Sequence, residues 1–113
     1  MSNSFKNEKV DLTTTDLTTL YTVPTATTTV IKSILVSDDS GSGTTIDVTL
    51  VNSSSAIFNL FKSKSISGNA TTELLTQPLV MEESEVLKVQ SGYANRLHVV
   101  ASILEIKPRE VTV

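Results

Sequence analysis

A chain of 113 residues with nine Lys or Arg against twelve Asp or Glu, for a net charge of −3, has the size of one domain. It lacks the clustered positive charge that a phosphate backbone demands, which excludes nucleic acid as the expected partner. There is no Cys, so disulfides and thiolate metal sites are excluded too. With 39% apolar residues and a mean hydropathy of +0.09 the chain has enough core to fold unaided. No apolar run approaches the ~20 residues of a membrane-spanning helix, and the first nine residues are polar where a signal peptide carries an apolar stretch, so no membrane partner is expected.

Residues 1–16 read as an N-terminal arm and a first edge strand. Leu20-Tyr-Thr-Val-Pro24 is a short strand running into a turn, because Pro cannot donate to a ladder. The run 28–37 is rich in Val, Ile, Thr and Ser at strand spacing. After it, Asp38-Asp-Ser-Gly-Ser-Gly43 supplies Asx-turn formers and glycines, read as the loop of a hairpin that pairs 28–37 with 45–51. In that second strand Ile46, Val48 and Leu50 share one face and Thr45, Asp47 and Thr49 the other.

Short strands follow at 56–62, 71–75, 79–81 and 85–90, separated by Ser67-Gly-Asn69, Gln77-Pro78, Glu82-Glu-Ser84 and Ser91-Gly92. In the last strong segment, 96–106, Leu97, Val99, Ala101 and Ile103 face inward. His98, Val100, Leu104 and Ile106 face out and leave that side only partly polar. Pro108 ends the strand and 107–113 reads as an extended tail. Thr and Ser exceed a quarter of the residues, yet they interleave with Val, Ile and Leu, which favours sheet over disorder. The expected fold is therefore an all-β antiparallel sandwich, jelly-roll or immunoglobulin-like, of about eight strands. Its domain spans 17–106, between the arm 1–16 and the tail 107–113.

Residues able to do chemistry are sparse. His98 is the sole histidine, and no Gly-x-Ser-x-Gly elbow accompanies it, so it reads as a surface or interface imidazole. Glu82, Glu83 and Glu85 fall in one exposed turn, where adjacent carboxylates diverge. Asp38 and Asp39 lack the spaced ligands of a calcium loop. Gly41 and Gly43 have neither a third Gly nor a following helix, so they make no phosphate loop. Catalytic, cofactor and metal sites are all expected to be absent, and the chain is read as no enzyme.

Taken in order, Leu20-Tyr-Thr-Val-Pro24, Thr29-Val-Ile-Lys-Ser-Ile-Leu-Val36 with its Asp-Ser-Gly turn, Glu73-Leu-Leu75, Pro78-Leu-Val-Met81, Glu85-Val-Leu-Lys-Val-Gln90 and Arg96-Leu-His-Val-Val-Ala-Ser-Ile-Leu-Glu-Ile106 resemble the small all-β virion structural proteins of tailed bacteriophages. The resemblance covers 17–106. It implies a virion protein made in the host cytoplasm that decorates the capsid or forms part of the neck, tail or fibre attachment, contacting other virion proteins. A homo-oligomer is expected, a trimer by analogy with virion symmetry. Free sheet edges and loose ends are the expected contacts, with Glu110, Val111, Thr112 and Val113, or residues 9–13, adding a strand to a neighbour and Val100, Leu104 and Ile106 forming an apolar patch. The alternative is a host-receptor or glycan-binding module at a tail or fibre tip, touching its ligand through the loops at Asp38, Asp39, Glu82, Glu83 and Tyr93.

Overall fold

A computed structural model of the chain describes residues 2–107. The expected contact residues Glu110, Val111, Thr112 and Val113 lie outside the described residues. Nine strands follow one another without a helix among the described residues: β1 (Ser2–Leu12), β2 (Thr18–Thr22), β3 (Thr28–Asp38), β4 (Thr44–Val51), β5 (Ile57–Ile66), β6 (Thr71–Glu73), β7 (Leu79–Met81), β8 (Val86–Ser91) and β9 (Leu97–Lys107). All pairings are antiparallel. Sheet I runs β1-β9-β3-β6, with β7 also on β3, and sheet II runs β2-β8-β4-β5.

The two sheets stack into a sandwich because period-two patterning gives each a continuous apolar face. Ile31, Ile34 and Val36 of β3 and Leu97, Val99, Ala101 and Ile103 of β9 are buried from one side. Ile46 and Val48 of β4 and Leu87 and Val89 of β8 are buried from the other. The inward faces expected for 45–51, 85–90 and 96–106 are the faces observed, with Leu50 only half-buried.

One expectation is overturned. β3 and β4 do not form a hairpin: β3 pairs with β6, β7 and β9, and β4 with β5 and β8. Turn chemistry was read correctly and its span was not. A two-residue hairpin turn returns the chain to the same sheet, whereas residues 39–43 carry it across the roughly 10 Å between sheets. Asp38 sets up that crossing. Its Oδ1 accepts from the Ser40 N–H at 2.7 Å, Ser40 Oγ at 2.9 Å and the Gly41 N–H at 3.0 Å, while Gly41 and Gly43 take positive φ. Burial pushes the Asp38 carboxyl up, but these hydrogen bonds outweigh it and hold it below the ordinary carboxylate range.

Left-handed residues recur in the other turns, at Ala26, Ser55, Asn69, Ser84 and Asn95, and Ser63 sits left-handed where β5 slips register against β4. Carboxylates hold several of these bends. Glu83 accepts from the Ala26 N–H, and Glu73 Oε2 accepts from the Ile34 and Leu75 N–H groups beside the β3 bulge. Asp47 Oδ1 accepts from Ser63 N–H at 2.6 Å.

A polar cluster lies between the sheets, beside the start of β3. The Tyr21 hydroxyl donates to Glu105 Oε2 at 2.6 Å and lies 2.7 Å from Thr29 Oγ1, and Lys6 Nζ stands 3.4 Å from both Glu105 and Glu8. The Tyr21 hydrogen bond, helped by the Lys6 charge, holds the buried Glu105 carboxyl below its usual range despite burial. Burial, with the Glu105 charge, pushes the Tyr21 phenol up. A carboxyl depressed on folding stabilises the protein in full above the ordinary carboxylate pKa, and that contribution is lost as pH falls through the folded value. A phenol raised on folding contributes fully below its ordinary pKa and loses this as pH rises through the folded value.

Melting temperature should therefore be flat between about pH 5 and 9 and fall on the acid side, where Glu73 and Asp38 add to Glu105. Tyr21→Phe leaves a buried carboxylate short of a donor, so it should cost about 2 kcal/mol, or about 10 °C. It should also flatten the acid limb, because Glu105 loses its main reason for a low pKa. Thermal melts read by circular dichroism across pH check both; an acid limb as steep as the parent's would contradict this role for Tyr21.

Candidate interaction surfaces

The strand register sorts the loops into two groups. Loops 13–17, 39–43, 67–70 and 92–96 gather at one end of the sandwich and 23–27, 52–56 and 82–85 at the other. The two ends differ in chemistry.

At the first end polar groups lock the loops together. Asp38 N–H donates to Ala70 O, Asp39 N–H to Arg96 O and Asn95 N–H to Leu12 O. The Arg96 guanidinium donates to Gly43 O at 2.8 Å and stacks 4.1 Å from the centre of the exposed Tyr93 ring. His98 sits on the outer face of sheet I with Nε2 3.2 Å from Asp11 and Nδ1 3.9 Å from Asp39. It thus bridges β1 to the 39–43 loop, and its cross-strand neighbour on β3 is Ser37.

The second end is apolar on its outside. Cross-strand pairing aligns Phe5 with Leu104, Leu104 with Val30 and Val30 with Val80, one row across four strands of the outer face of sheet I. Phe5 is 74% and Val80 58% exposed, and the half-buried Ile106 lies in the next row. On sheet II, Ile57, Val51 and Val86 form a matching row at the same end, with Ile57 65% exposed. Farther from this end sheet II turns polar through Asp47, Thr49, Lys88 and Gln90. Ser2 pairs with Lys107, so both limits of the described chain meet here as well.

Of the residues expected to mediate contacts, Leu104 and Ile106 stand in or beside the apolar row. Val100 lies on the same face, next to Leu35 and opposite Lys9. The loop residues weighed for ligand binding are divided. Asp38, Asp39 and Tyr93 sit at the polar end and Glu82 and Glu83 at the apolar end, and the Asp38 side chain is buried in its own turn. Sequence reading missed Phe5, Val30, Val80 and Ile57. Phe5 was hidden in a polar stretch, and its exposure follows only from knowing that β1 pairs with β9.

No family model matches the chain, and no curated protein matches it. Among solved structures, a chain of the cyanophage Pam1 capsid asymmetric unit is similar, at 14% identity over 94% of this chain and 85% of that chain, with a TM-score of 0.45.

Among the described residues, no group of three or more His, Asp or Glu side chains is placed to hold a metal ion. The depression lined by Thr45, Asp47, Ser63 and Gln90 brings together polar side chains, and there Asp47 Oδ1 is taken up by the Ser63 backbone N–H. What the surface offers instead is contact area: an apolar end and an open sheet edge.

Proposed function

We propose that this chain is a non-enzymatic structural component of a phage virion, assembling in multiple copies and seated on its neighbours by the apolar end of the sandwich. The observation that carries the reading is the row Phe5–Leu104–Val30–Val80, matched by Ile57–Val51–Val86 on the opposite outer face. A monomer has no use for apolar rows on both outside faces at one end, and contiguous exposed apolar patches of this kind mark interaction sites. Two further features support it. Pairing of the first strand with the last in sheet I, and of β2 with β8 in sheet II, fits a jelly roll rather than an immunoglobulin-like order. Jelly rolls are common in viral shells. The motif order from Leu20 to Ile106 resembles tailed-phage virion proteins.

On this reading the apolar end faces the particle and the polar loops, with Tyr93 and Arg96, face solvent. β9 ends with Lys107 at the particle-facing end, and on this reading residues 108–113 supply a strand to a neighbour. Light scattering of the full chain and of a chain ending at Lys107 should give a multimer for the first and a smaller species for the second. The full chain should also sediment with purified particles. A full chain that stays monomeric at high concentration and never sediments with particles would overturn the reading.

A further inference from the structure

Four strand edges bound the sandwich, and three of them are blunted. β2 is five residues long and slips register against β8; β5 slips twice against β4; β6 and β7 are three residues each, with a break between. Such devices stop an edge from accepting another strand. β1 has none of them. It is eleven residues long and pairs with β9 in unbroken register, and among the described residues no strand lies on its other side.

Lysines and inward-pointing charges on an edge also discourage pairing, but those of β1 alternate in sign, so a register that matches opposite charges offsets this: Lys6, Glu8, Lys9, Asp11. Antiparallel pairing of β1 with itself requires partner positions whose numbers sum to an even value. Only then do outward-pointing N–H and C=O groups meet their counterparts and side chains share a face. Registers centred on Lys6, Glu8, Lys9 or Asp11 set a charge against its own copy, and those centred on Phe5, Val10 or beyond leave much of the strand unpaired. The register centred on Asn7 does neither. It aligns Ser2 with Leu12, so all eleven residues pair. Lys6 falls opposite Glu8 of the second copy, and Glu8 opposite its Lys6. Phe5 falls opposite Lys9, whose aliphatic stem can lie along the exposed ring. Within one chain Lys6 and Glu8 already stand 3.4 Å apart, so the pairing creates a four-charge cluster of alternating sign.

From this we infer that β1 pairs antiparallel with β1 of a second copy of this chain about a two-fold axis through Asn7, fusing two copies of sheet I into one continuous sheet. The inference rests on the multi-copy reading above and specifies one of its contacts, made through the β1 edge, whereas the apolar end offers the sheet face at Leu104, Val30 and Val80.

The native chain has no Cys, which gives a clean background for cross-linking. Directly opposed residues in an antiparallel pair have Cα atoms about 4.5–5.5 Å apart, within reach of a disulfide. Full-length Asn7→Cys should oxidise to a disulfide-linked dimer. Phe5→Cys and Lys9→Cys should each stay uncoupled alone and cross-link when mixed. Adding Glu8→Lys to Asn7→Cys sets Lys against Lys and should cut the cross-linking rate at least 10-fold, with an unchanged circular dichroism spectrum showing that the fold survives. If Asn7→Cys stays reduced while light scattering still shows multimers, the edge pairing is wrong and the assembly reading stands. Phe5→Cys cross-linking to itself as readily as Asn7→Cys would refute the register. A monomer at every concentration would sink both.

Discussion

A chain carrying Phe5→Ser and Val80→Ser is expected to self-associate, and to bind its particle, about 100-fold more weakly than the parent while melting within a few degrees of it. Both side chains are more than half exposed, so the folded monomer gains little from them and loses little when they go. In an interface the same two side chains sit at the ends of the row that Leu104 and Val30 complete. Burying the remaining surface of each is worth about 1.4 kcal/mol, and two such losses multiply to the stated factor. Sedimentation equilibrium across a concentration series measures the first effect and a thermal melt the second. Parent-like association would show that the apolar end is not the contact surface. The paired control is Thr19→Ser, an exposed position beside Lys88 on the polar outer face of sheet II, which should change neither quantity appreciably.

Gly68→Ala should be among the most damaging single-methyl changes in the molecule, costing about 3 kcal/mol and about 15 °C in melting temperature. A Cβ at Gly68 would lie 2.3 Å from Gly41 O and 2.6 Å from its carbonyl carbon, so the backbone of the 39–43 crossing itself must move. That crossing is the one whose turn Asp38 builds and whose far side Arg96 clasps through Gly43 O. Gly92→Ala makes the useful contrast. There the new methyl would meet the Thr44 and Thr45 hydroxyl oxygens at 2.8 Å, and those rotate aside more readily than backbone can, so a cost of about 1 kcal/mol is expected. Urea titrations of the two variants should separate them clearly; equal midpoints would mean that close contact between the 39–43 and 67–70 loops is not what limits this end.

The sheets were legible wherever alternation was strict. Ile46 and Val48, Leu87 and Val89, and the series Leu97, Val99, Ala101 and Ile103 announce an inward face because a period of two admits no other sheet orientation. Strand partners were not legible. The Asp38–Gly43 segment carries every signal of a reversal, but those signals fix a change of direction and not the sheet to which the chain returns, so the hairpin between 28–37 and 45–51 was a local inference defeated by a tertiary one. β1 was the least visible element. Its residues are mostly polar because an edge strand far from the core needs few apolar groups, and only Val10 and Leu12 of its inward side touch the core. Of the candidate surface, the outward Val100, Leu104 and Ile106 could be read from β9 alone. Phe5, Val30 and Val80 could not, since their row exists only through the register of four strands.

The central claim is that the apolar end of this sandwich is its seat on a phage particle. A density map of the particle at side-chain resolution tests it most directly. The account predicts this chain on the particle with Phe5, Val30, Val80 and Leu104 buried against neighbouring protein and the loops at Tyr93 and Gly41 turned to solvent. Finding the chain inverted, with that row facing water, or finding no copy of it on the particle, would contradict the account.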